Sequence, residues 1–324
     1  MATSGSFNYS LTAADIIKSA YEDLGVISPG DSVGTNDQTM ALTRLNMLVK
    51  QLQGDPDISP WLKILSRRRI TMALAKGQQT YLVGPASTDS RASTQMGRTT
   101  LSGAEAAAQT VLSITSNTDT TTYPGTTLTM TNGDVIGIQL DDGTIQWTTI
   151  SGTPSTTATV ADALTGAAAS GNYVWWFTSR AQRFTNLEAA VLREASGTDS
   201  PLMVYRDVRE YDLGVASKYA DGDPTAILVE PLRINTRITL NSQPTNVAKQ
   251  IILTALYPAE DYDATTDDIA FPQECFLFLS WELAFLLSAS YGRWTPEMEK
   301  NRGTALARAR AMNPEVSSLY FQPG

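Results

Sequence analysis

The chain has no histidine among its 324 residues. Histidine is the usual general base near neutral pH and a common metal ligand, so its absence excludes Ser-His-Asp and Cys-His catalytic systems and histidine metal sites. The chain has a single cysteine, Cys275, which excludes an intrachain disulfide and a disulfide-dependent secreted fold. Because Cys275 precedes the bulky Phe276 in an apolar run, we expect an inert core thiol.

Positive charge is also scarce. The sequence holds 24 lysines and arginines against 33 acidic residues, a net charge of −9, and none of the basic residues lies between Arg98 and Arg180. A free-standing nucleic-acid-binding protein usually has a basic face, so this balance argues against one. Long apolar runs are missing too: residues 275–287 form the longest, Glu282 interrupts it, and we expect a buried helix too short to cross a bilayer.

Apolar residues recur with helical spacing near both ends of the chain. Residues 12–24 and 37–52 form one predicted helix pair, and residues 274–291 and 295–312 form a second. Thr12 is a typical N-cap, and glycines follow the first and third helices. The two pairs are predicted to pack as one helical bundle whose core is discontinuous in sequence.

A hairpin is the clearest element between the helix pairs. In "GIQLDDGTIQWTTI", residues 137–150, Asp142-Gly143 suits a two-residue turn, because glycine tolerates a positive φ. That turn would place Leu140 opposite Ile145 and Ile138 opposite Trp147. The large apolar side chains would then share one face, and the glutamines would share the other.

The predicted fold class is α+β. The helical bundle is formed by the N- and C-terminal helix pairs, with intervening β-strands and an inserted small all-β domain, a sandwich or barrel. Residues 86–179 form this insert, since they are rich in Thr, Ser, Ala and Gly and carry short β-branched strands. Residues 1–85 and 180–324 form the discontinuous helical core with its β-hairpins.

Acidic residues cluster without a recognisable catalytic or metal-binding pattern. Turn chemistry accounts for Asp141 and Asp142. The acidic segment 261–268 lacks the ligand spacing and central glycine of a calcium loop, which favours a solvated linker over a cation site. No glycine-rich phosphate loop follows a strand. The sequence therefore predicts no enzyme activity, no catalytic residue, no cofactor and no metal.

Three short segments are candidates for interaction. The only basic run, Arg67, Arg68 and Arg69, could touch a phosphate backbone or an acidic partner, or equally form the solvated end of a strand. Trp175 and Trp176 lie in an aromatic strand with rings on both faces. A core on one face and a neighbouring sheet or subunit on the other is favoured there over a sugar-stacking platform.

The third candidate is the segment Leu319, Tyr320 and Phe321. It has no evident partner in the sequence pattern, and we interpret it as a docking peptide that becomes ordered on assembly.

A family resemblance covers most of the chain in order. "ADIIKSAYEDLGV" and "ALTRLNMLVKQLQ" resemble the opening helix pair of the head-to-tail adaptor proteins of short-tailed bacteriophages, also called connector or packaged-DNA stabilisation proteins. "ITMALAKGQQTYLVGP", "DSPLMVYRDVREYDLGVASKYADGDPTAILVEP", "ITLNSQP" and "IAFPQECFLFLSWELAFLLSASYG" resemble successive blocks of its longer members. The insert, with "GDVIGIQLDDGTIQWTTI" and "ALTGAAASGNYVWWFTS", is similar to β-modules of phage tail proteins and is absent from the short adaptors.

The resemblance implies a structural protein of the virion, located at the head–tail interface after assembly in the host cytoplasm. Such adaptors form rings, typically of twelve copies, beneath the portal protein. They extend the channel for the genomic DNA, which passes without sequence-specific binding, and they hold the next tail component, a nozzle or terminator, and in some cases tail fibres. The family implies no cofactor, no catalytic set and no membrane partner.

Two other classes stay open from the residues. A glycan-binding or host-adhesion tail module is motivated by the aromatic strand and the Thr-rich insert. A cell-wall hydrolase would need two carboxyl groups about 5 Å apart in a cleft if it retained configuration, and the sequence does not show such a pair.

Overall fold

The structure is a computed structural model that describes residues 9–54, 66–85, 91–122 and 126–312. It divides into two compact units. The first, which we call the helical unit, comprises Met1–Ser66 and Pro258–Gly324. The second, the β unit, comprises Arg67–Tyr257. The predicted insert boundaries at residues 86 and 179 stay a prediction, and the insert belongs to the same compact unit as the strands around it.

The predicted fold class is wrong. Strands account for 31% of the structure and helices for 26%, and an eight-stranded, nearly closed, barrel-like sheet dominates it, so the protein is mostly β-sheet and not a helical bundle. One reason is that Asn186–Arg193 has helix-forming composition but forms a strand. Leu187, Ala190 and Leu192 of that segment are buried in the sheet's core. Packing of this kind overrides the weak helix propensity of Leu, Ala and Glu.

Five α-helices lie in the described residues. They are α1 (Ala13–Asp23), α2 (Thr35–Gly54), α3 (Val208–Gly214), α4 (Phe276–Tyr291) and α5 (Pro296–Met312), with a 3-10 turn at Gln273–Cys275 before α4. The cap predicted at Thr12 is confirmed: its hydroxyl accepts from the Asp15 amide, and its own amide donates to the Asp15 carboxylate at 2.9 Å. Gly292, with φ +62°, ends α4 as predicted.

The core of the helical unit is built from one face of each of the first two helices and most of α4. Tyr21, Leu45, Phe278 and Leu283 are at most 1% exposed within it. The Tyr21 hydroxyl lies 3.2 Å from that of Tyr291. Burial raises the pKa of the Tyr21 hydroxyl, so the ring remains a neutral hydrogen-bonding core residue.

Eighteen strands are described in the β unit and at its start. They are β1 (Ser66–Ala73), β2 (Thr80–Val83), β3 (Ala92–Ser93), β4 (Gly97–Thr100), β5 (Val111–Ser113), β6 (Thr118–Asp119), β7 (Leu128–Thr129), β8 (Val135–Gln139), β9 (Ile145–Thr149), β10 (Thr157–Thr159), β11 (Tyr173–Phe177), β12 (Asn186–Arg193), β13 (Asp199–Tyr205), β14 (Ala220–Asp221), β15 (Ala226–Pro231), β16 (Thr236–Leu240), β17 (Ser242–Gln243) and β18 (Gln250–Tyr257). The largest sheet has the order β2-β16-β15-β13-β12-β18-β1-β3.

This sheet curls because β1 and β2 are neighbours in sequence but lie near its opposite edges. Only residues 74–79 join them, so the two sides of the sheet must approach each other. The enclosed core includes Ile70, Tyr81, Phe184 and Leu253, each at most 1% exposed. Burial raises the pKa of Tyr81 to about 12, and its hydroxyl accepts from the amide of Ala75 at 3.0 Å.

The predicted hairpin exists, but its register is wrong by one residue. Gln139 pairs with Ile145 and Gly137 with Trp147. The loop has three residues, 141–143, and ends at Gly143 with φ +80°. A type I turn followed by a left-handed glycine uses the same Asp-Gly signature as a two-residue turn. The longer loop is favoured here because the Asp142 carboxylate accepts from the amide and hydroxyl of Thr144, at 2.8 and 2.7 Å.

The corrected register makes both faces of the insert's four-stranded sheet, β4-β11-β8-β9, apolar. Ile136, Ile138 and Trp176 pack into the core of the insert. On the opposite face, Trp175 and Phe177 pack with Ala73 of β1, Met96 and Val247. The insert therefore shares a hydrophobic contact with the barrel-like sheet. Neither face of the four-stranded sheet is a polar, solvent-facing one.

Candidate interaction surfaces

The arginine run forms the exposed start of β1. Arg67 pairs with Glu188, and its second guanidinium nitrogen lies 2.9 Å from the other carboxylate oxygen. The hydrogen bonds from Arg67 lower the pKa of Glu188. The guanidinium of Arg68 lies 5.3 Å from the centre of the Tyr257 ring. Two of the three arginines are thus engaged within the β unit.

Arg69 lies near a second ion pair on the same unit. Arg193 donates to both carboxylate oxygens of Asp199 at 2.7 Å, which lowers the pKa of Asp199, and the charge of Arg69 lowers it further. Exposed pairs of this type contribute about 0–1 kcal/mol each. The arginine run therefore belongs to a surface of paired charges, and its role in binding a partner stays a prediction.

Trp175 and Trp176 do not form a contact surface. Their exposed fractions are 0% and 2%, because one ring packs on each face of the four-stranded sheet. Trp147 of the same sheet does reach the surface and is half-buried. It lines an open groove of about 320 Å³ with Arg91 and Arg180, and the Arg91 guanidinium lies 5.8 Å from its centre. The wrong register had placed Trp147 inward beside Ile138, so this groove was missed.

The predicted docking segment Leu319, Tyr320 and Phe321 lies outside the described residues. Its assignment as a docking peptide stays a prediction. No contact of these three residues enters the surfaces described below.

The carboxylates and the thiol that were candidates for chemistry have structural roles within their own segments. Asp141 accepts from the amide of Ala169 at 2.7 Å. Asp267 accepts from two amides of its own loop. Cys275 is fully buried, and burial raises the pKa of its thiol to about 11. Across the described ranges, no group of three or more Cys, Asp or Glu residues is placed to hold a metal ion.

An apolar stripe runs along the outer face of α4. Leu277, Trp281 and Phe285 follow each other at intervals of four residues, and Leu277 and Phe285 are 52% and 38% exposed. Residues with this spacing share one helix face. We call these three residues the α4 stripe. Glu274, also exposed, lies three residues before it.

Contacts within the helical unit fix the far end of the α4 stripe. The ring of Trp294 meets Phe285 edge-on at 5.2 Å, and the Arg302 guanidinium lies 4.1 Å above the Phe285 ring. Arg302 also donates to Glu282 at 2.7 Å; the Glu282 side chain is only 10% exposed. Trp294 and Arg302 therefore hold Phe285 in place at this end of the stripe.

The helical stretch Gln273–Tyr291 is longer than the apolar run recognised in the sequence. Its 19 residues are long and apolar enough to cross a membrane by length and composition alone. Half of the stretch is buried within the structure, where Phe278, Leu283 and Leu287 are core residues. The core helix of a protein outside a membrane passes the same test, so the stretch is weak support for a membrane segment.

A second apolar surface lies in the β unit beside α3. It is an open groove of about 830 Å³ between α3 and the end of β15, and we call it the α3 groove. Val208 and Leu213 of α3 line it with exposed fractions of 48% and 79%, and Pro231 and Leu232 line the other side. Val208 and Leu213 are exposed together at this groove, which makes it a candidate binding surface.

The α3 helix is held firmly despite its length of seven residues. Tyr211 is buried and donates to the Leu240 carbonyl at 3.1 Å, and its ring meets Tyr205 edge-on at 5.6 Å. A Cβ atom on Gly214 would lie 2.5 Å from the Tyr205 hydroxyl, so a larger residue there would have to displace the Tyr205 ring. The exposed Val208 and Leu213 are therefore presented from a fixed helix.

The acidic residues of the α3 groove are engaged by other groups. Asp207 caps α3 by accepting from two of its amides, at 2.6 and 3.2 Å. Asp212 pairs with Lys218 at 2.6 Å, and Glu230 pairs with Arg237 at 3.6 Å.

Arg206 and Arg209 supply positive charge to the α3 groove. Arg206 donates to the Leu187 carbonyl at 2.7 Å, and its charge helps to lower the pKa of Glu188. Arg209 is exposed beside Val208. The groove thus combines apolar walls with two arginines and three carboxylates, and two of those carboxylates are paired with Lys218 and Arg237.

Charge is distributed unevenly along the chain. The helical unit has 9 basic and 17 acidic residues, and the β unit has 15 and 16. Residues 99–179 of the insert carry 6 acidic residues and no basic one. The rest of the β unit therefore has 15 basic and 10 acidic residues, and it is the part of the chain with an excess of positive charge.

No family model matches this chain, and no curated protein matches its sequence.

Proposed function

We propose that the protein is a structural virion protein, a head-to-tail adaptor that forms a ring between the portal and the tail of a short-tailed bacteriophage. The observation that carries the proposal is the pair of exposed apolar surfaces, the α4 stripe and the α3 groove, one on each unit. A ring subunit needs two complementary surfaces that are buried only on assembly. The ordered blocks of resemblance along the chain support the same role.

The proposed partners are other copies of the chain, in a ring of typically twelve, the portal protein, and the next tail component. Genomic DNA passes through the ring. A net charge of −9 suits a channel through which DNA slides, because an acidic protein repels phosphates. We place the protein at the head–tail interface of the virion and propose that it needs no cofactor or turnover.

The direct test is to mix the protein with the portal protein of the same virion and to image the product. We expect rings that are rotationally symmetric and that form only, or faster, with portal present. The portal alone and the adaptor alone serve as controls. A chain that stays monomeric at all concentrations and does not bind portal would contradict the proposal.

A second candidate, a glycan-binding tail module, is favoured by one observation. Trp147 and two arginines line the groove on the insert, and an aromatic face with nearby hydrogen-bond donors suits an acidic sugar. The test is a glycan array with the unchanged protein and with Trp147→Ala. Trp294→Ala, in the helical unit, is the matched control. An array without hits for the unchanged protein would dispose of this candidate.

A further inference from the structure

The α4 stripe and the α3 groove match in chemistry as well as in exposure. The stripe presents three large apolar side chains from one helix face, over a length of about 12 Å at 1.5 Å per residue. The groove presents Val208 and Leu213 beside open space. A helix that lays apolar residues at such intervals into an apolar groove is a recurrent mode of recognition.

Each surface has one exposed charged side chain that is opposite in sign to that of the other, Glu274 at the stripe and Arg209 at the groove. Glu274 is in line with the stripe, on a unit with 17 acidic and 9 basic residues. Arg209 lies at the groove, on the basic part of the β unit, and the groove's own carboxylates are already paired or cap α3. Opposite charges at the edge of an apolar contact raise the association rate and select the partner.

We propose that the α4 stripe of one copy docks in the α3 groove of the next copy, with Glu274 facing Arg209 across the contact. The inference rests on the proposed ring, and it names the interface that would build that ring. The two surfaces differ, so the contact is heterologous. A heterologous contact generates a closed ring when its rotation closes and a filament when it does not. Each copy then offers one stripe and one groove, and both are buried.

The first experiment is a charge swap across the proposed contact. Self-association is measured by sedimentation velocity over a range of concentrations, with and without portal. Arg209→Glu and Glu274→Arg each place like charges together and should weaken association about tenfold. The double variant restores opposite charges and should return to within about threefold of the unchanged protein. Arg44→Glu, an exposed change on α2, is the control for net charge.

The second experiment tests whether the contact is heterologous. Leu213→Asp disables the groove, and Leu277→Asp disables the stripe; each should weaken association roughly thirtyfold. Both side chains are more than half exposed, so the fold does not depend on them. A mixture of the two variants keeps one intact stripe and one intact groove, and it should form dimers but no rings. Val111→Asp, on the insert, is the matched control.

The possible results distinguish a failure of the proposed interface from a failure of the proposed adaptor role. Rings that form with portal but ignore all four substitutions overturn the interface and leave the adaptor role standing. A double charge variant that is as weak as either single variant also overturns it. A protein that binds portal as a monomer refutes the interface, whereas a monomer that does not bind portal refutes both proposals. Weakening by each single change, rescue by the double, and dimers from the mixture support the interface.

Discussion

Replacement of Arg302 by alanine should destabilise the helical unit more than the removal of an ordinary surface charge. Arg302 donates to Glu282 at 2.7 Å, and the Glu282 side chain is only 10% exposed, so the substitution leaves a nearly buried carboxylate without its cation. Removal of one partner of a buried pair costs about 3–5 kcal/mol. The Arg302 side chain keeps 26% exposure, so solvent screening lowers our expectation to about 2–3 kcal/mol.

The assay is urea unfolding followed by the helical circular-dichroism signal, because four of the five described helices belong to the helical unit. With a slope of about 2 kcal/mol per molar urea, the midpoint should fall by about 1 M or slightly more. Arg308→Ala, an exposed change on the same helix, is the control and should stay within about 0.5 kcal/mol.

A double variant distinguishes the physical cause. Replacement of Arg302 by Met and of Glu282 by Leu removes both charges together, so no unpaired carboxylate is left behind. Such replacements are often neutral or stabilising. We expect the double variant to be more stable than Arg302→Ala. The reasoning is refuted if Arg302→Ala costs no more than Arg308→Ala, or if the double variant loses as much as the single one.

Three further predictions concern local structure. Gly97→Ala should lower the free energy of unfolding by about 1–3 kcal/mol in a denaturation series, since a Cβ there would lie 2.3 Å from the Trp176 ring; an unchanged midpoint would contradict this. The Cys275 thiol, with a pKa raised to about 11 by burial, should resist a thiol reagent at pH 8 until urea unfolds the chain; rapid labelling of the native protein would contradict this. Hydrogen bonds from Thr12 lower the pKa of Asp15, so its stabilisation is present above the unfolded value near 3.8 and is lost as pH falls through the folded value. Asp15→Asn should therefore flatten the dependence of stability on pH below the unfolded value, and a curve parallel to that of the unchanged protein would refute the assignment.

Helix ends and helix faces were predictable because their signals are local. The cap at Thr12, the buried face of α1 with Ile16, Ile17 and Tyr21, and the glycine that ends α4 are confirmed. Each depends on residues within four positions of one another, where spacing and cap chemistry determine the outcome.

The dominance of the large sheet was not predictable in the same way, because its pairings join distant segments. Strand β2 pairs with β16, more than 150 positions later, and β13 pairs in parallel with β15 across α3. The spacing of residues within one strand does not indicate which distant strand it pairs with. The hairpin shows the same limit at short range, since Asp-Asp-Gly suits two loop lengths and one residue of slip moves Trp147 to the other face.

The candidate interaction surfaces were predictable only as far as residue type, because exposure depends on packing between distant segments. The sequence singled out aromatic and basic residues by type, but Trp175 is enclosed and Arg67 is paired. The exposed stripe on α4 was hidden because the helix is apolar nearly all round, and only the packing of its neighbours decides which face stays open. Leu213 carried no signal beyond a single apolar residue in a polar segment.

The order of the sheet's strands has a consequence for biosynthesis. Strands β1 and β2 leave the ribosome early, but their partners β18 and β16 are encoded beyond the insert. At about 5–20 residues per second, translation from Val83 to Thr236 takes roughly 8–30 seconds. The four strands of the insert sheet are complete before then, so the nascent chain can fold the insert first and use it as a platform on which the barrel later closes. Until that moment β1 can pair only with β3, and β2 lacks its partner β16, so their open edges must be kept from wrong pairings, a task for which chaperones are suited.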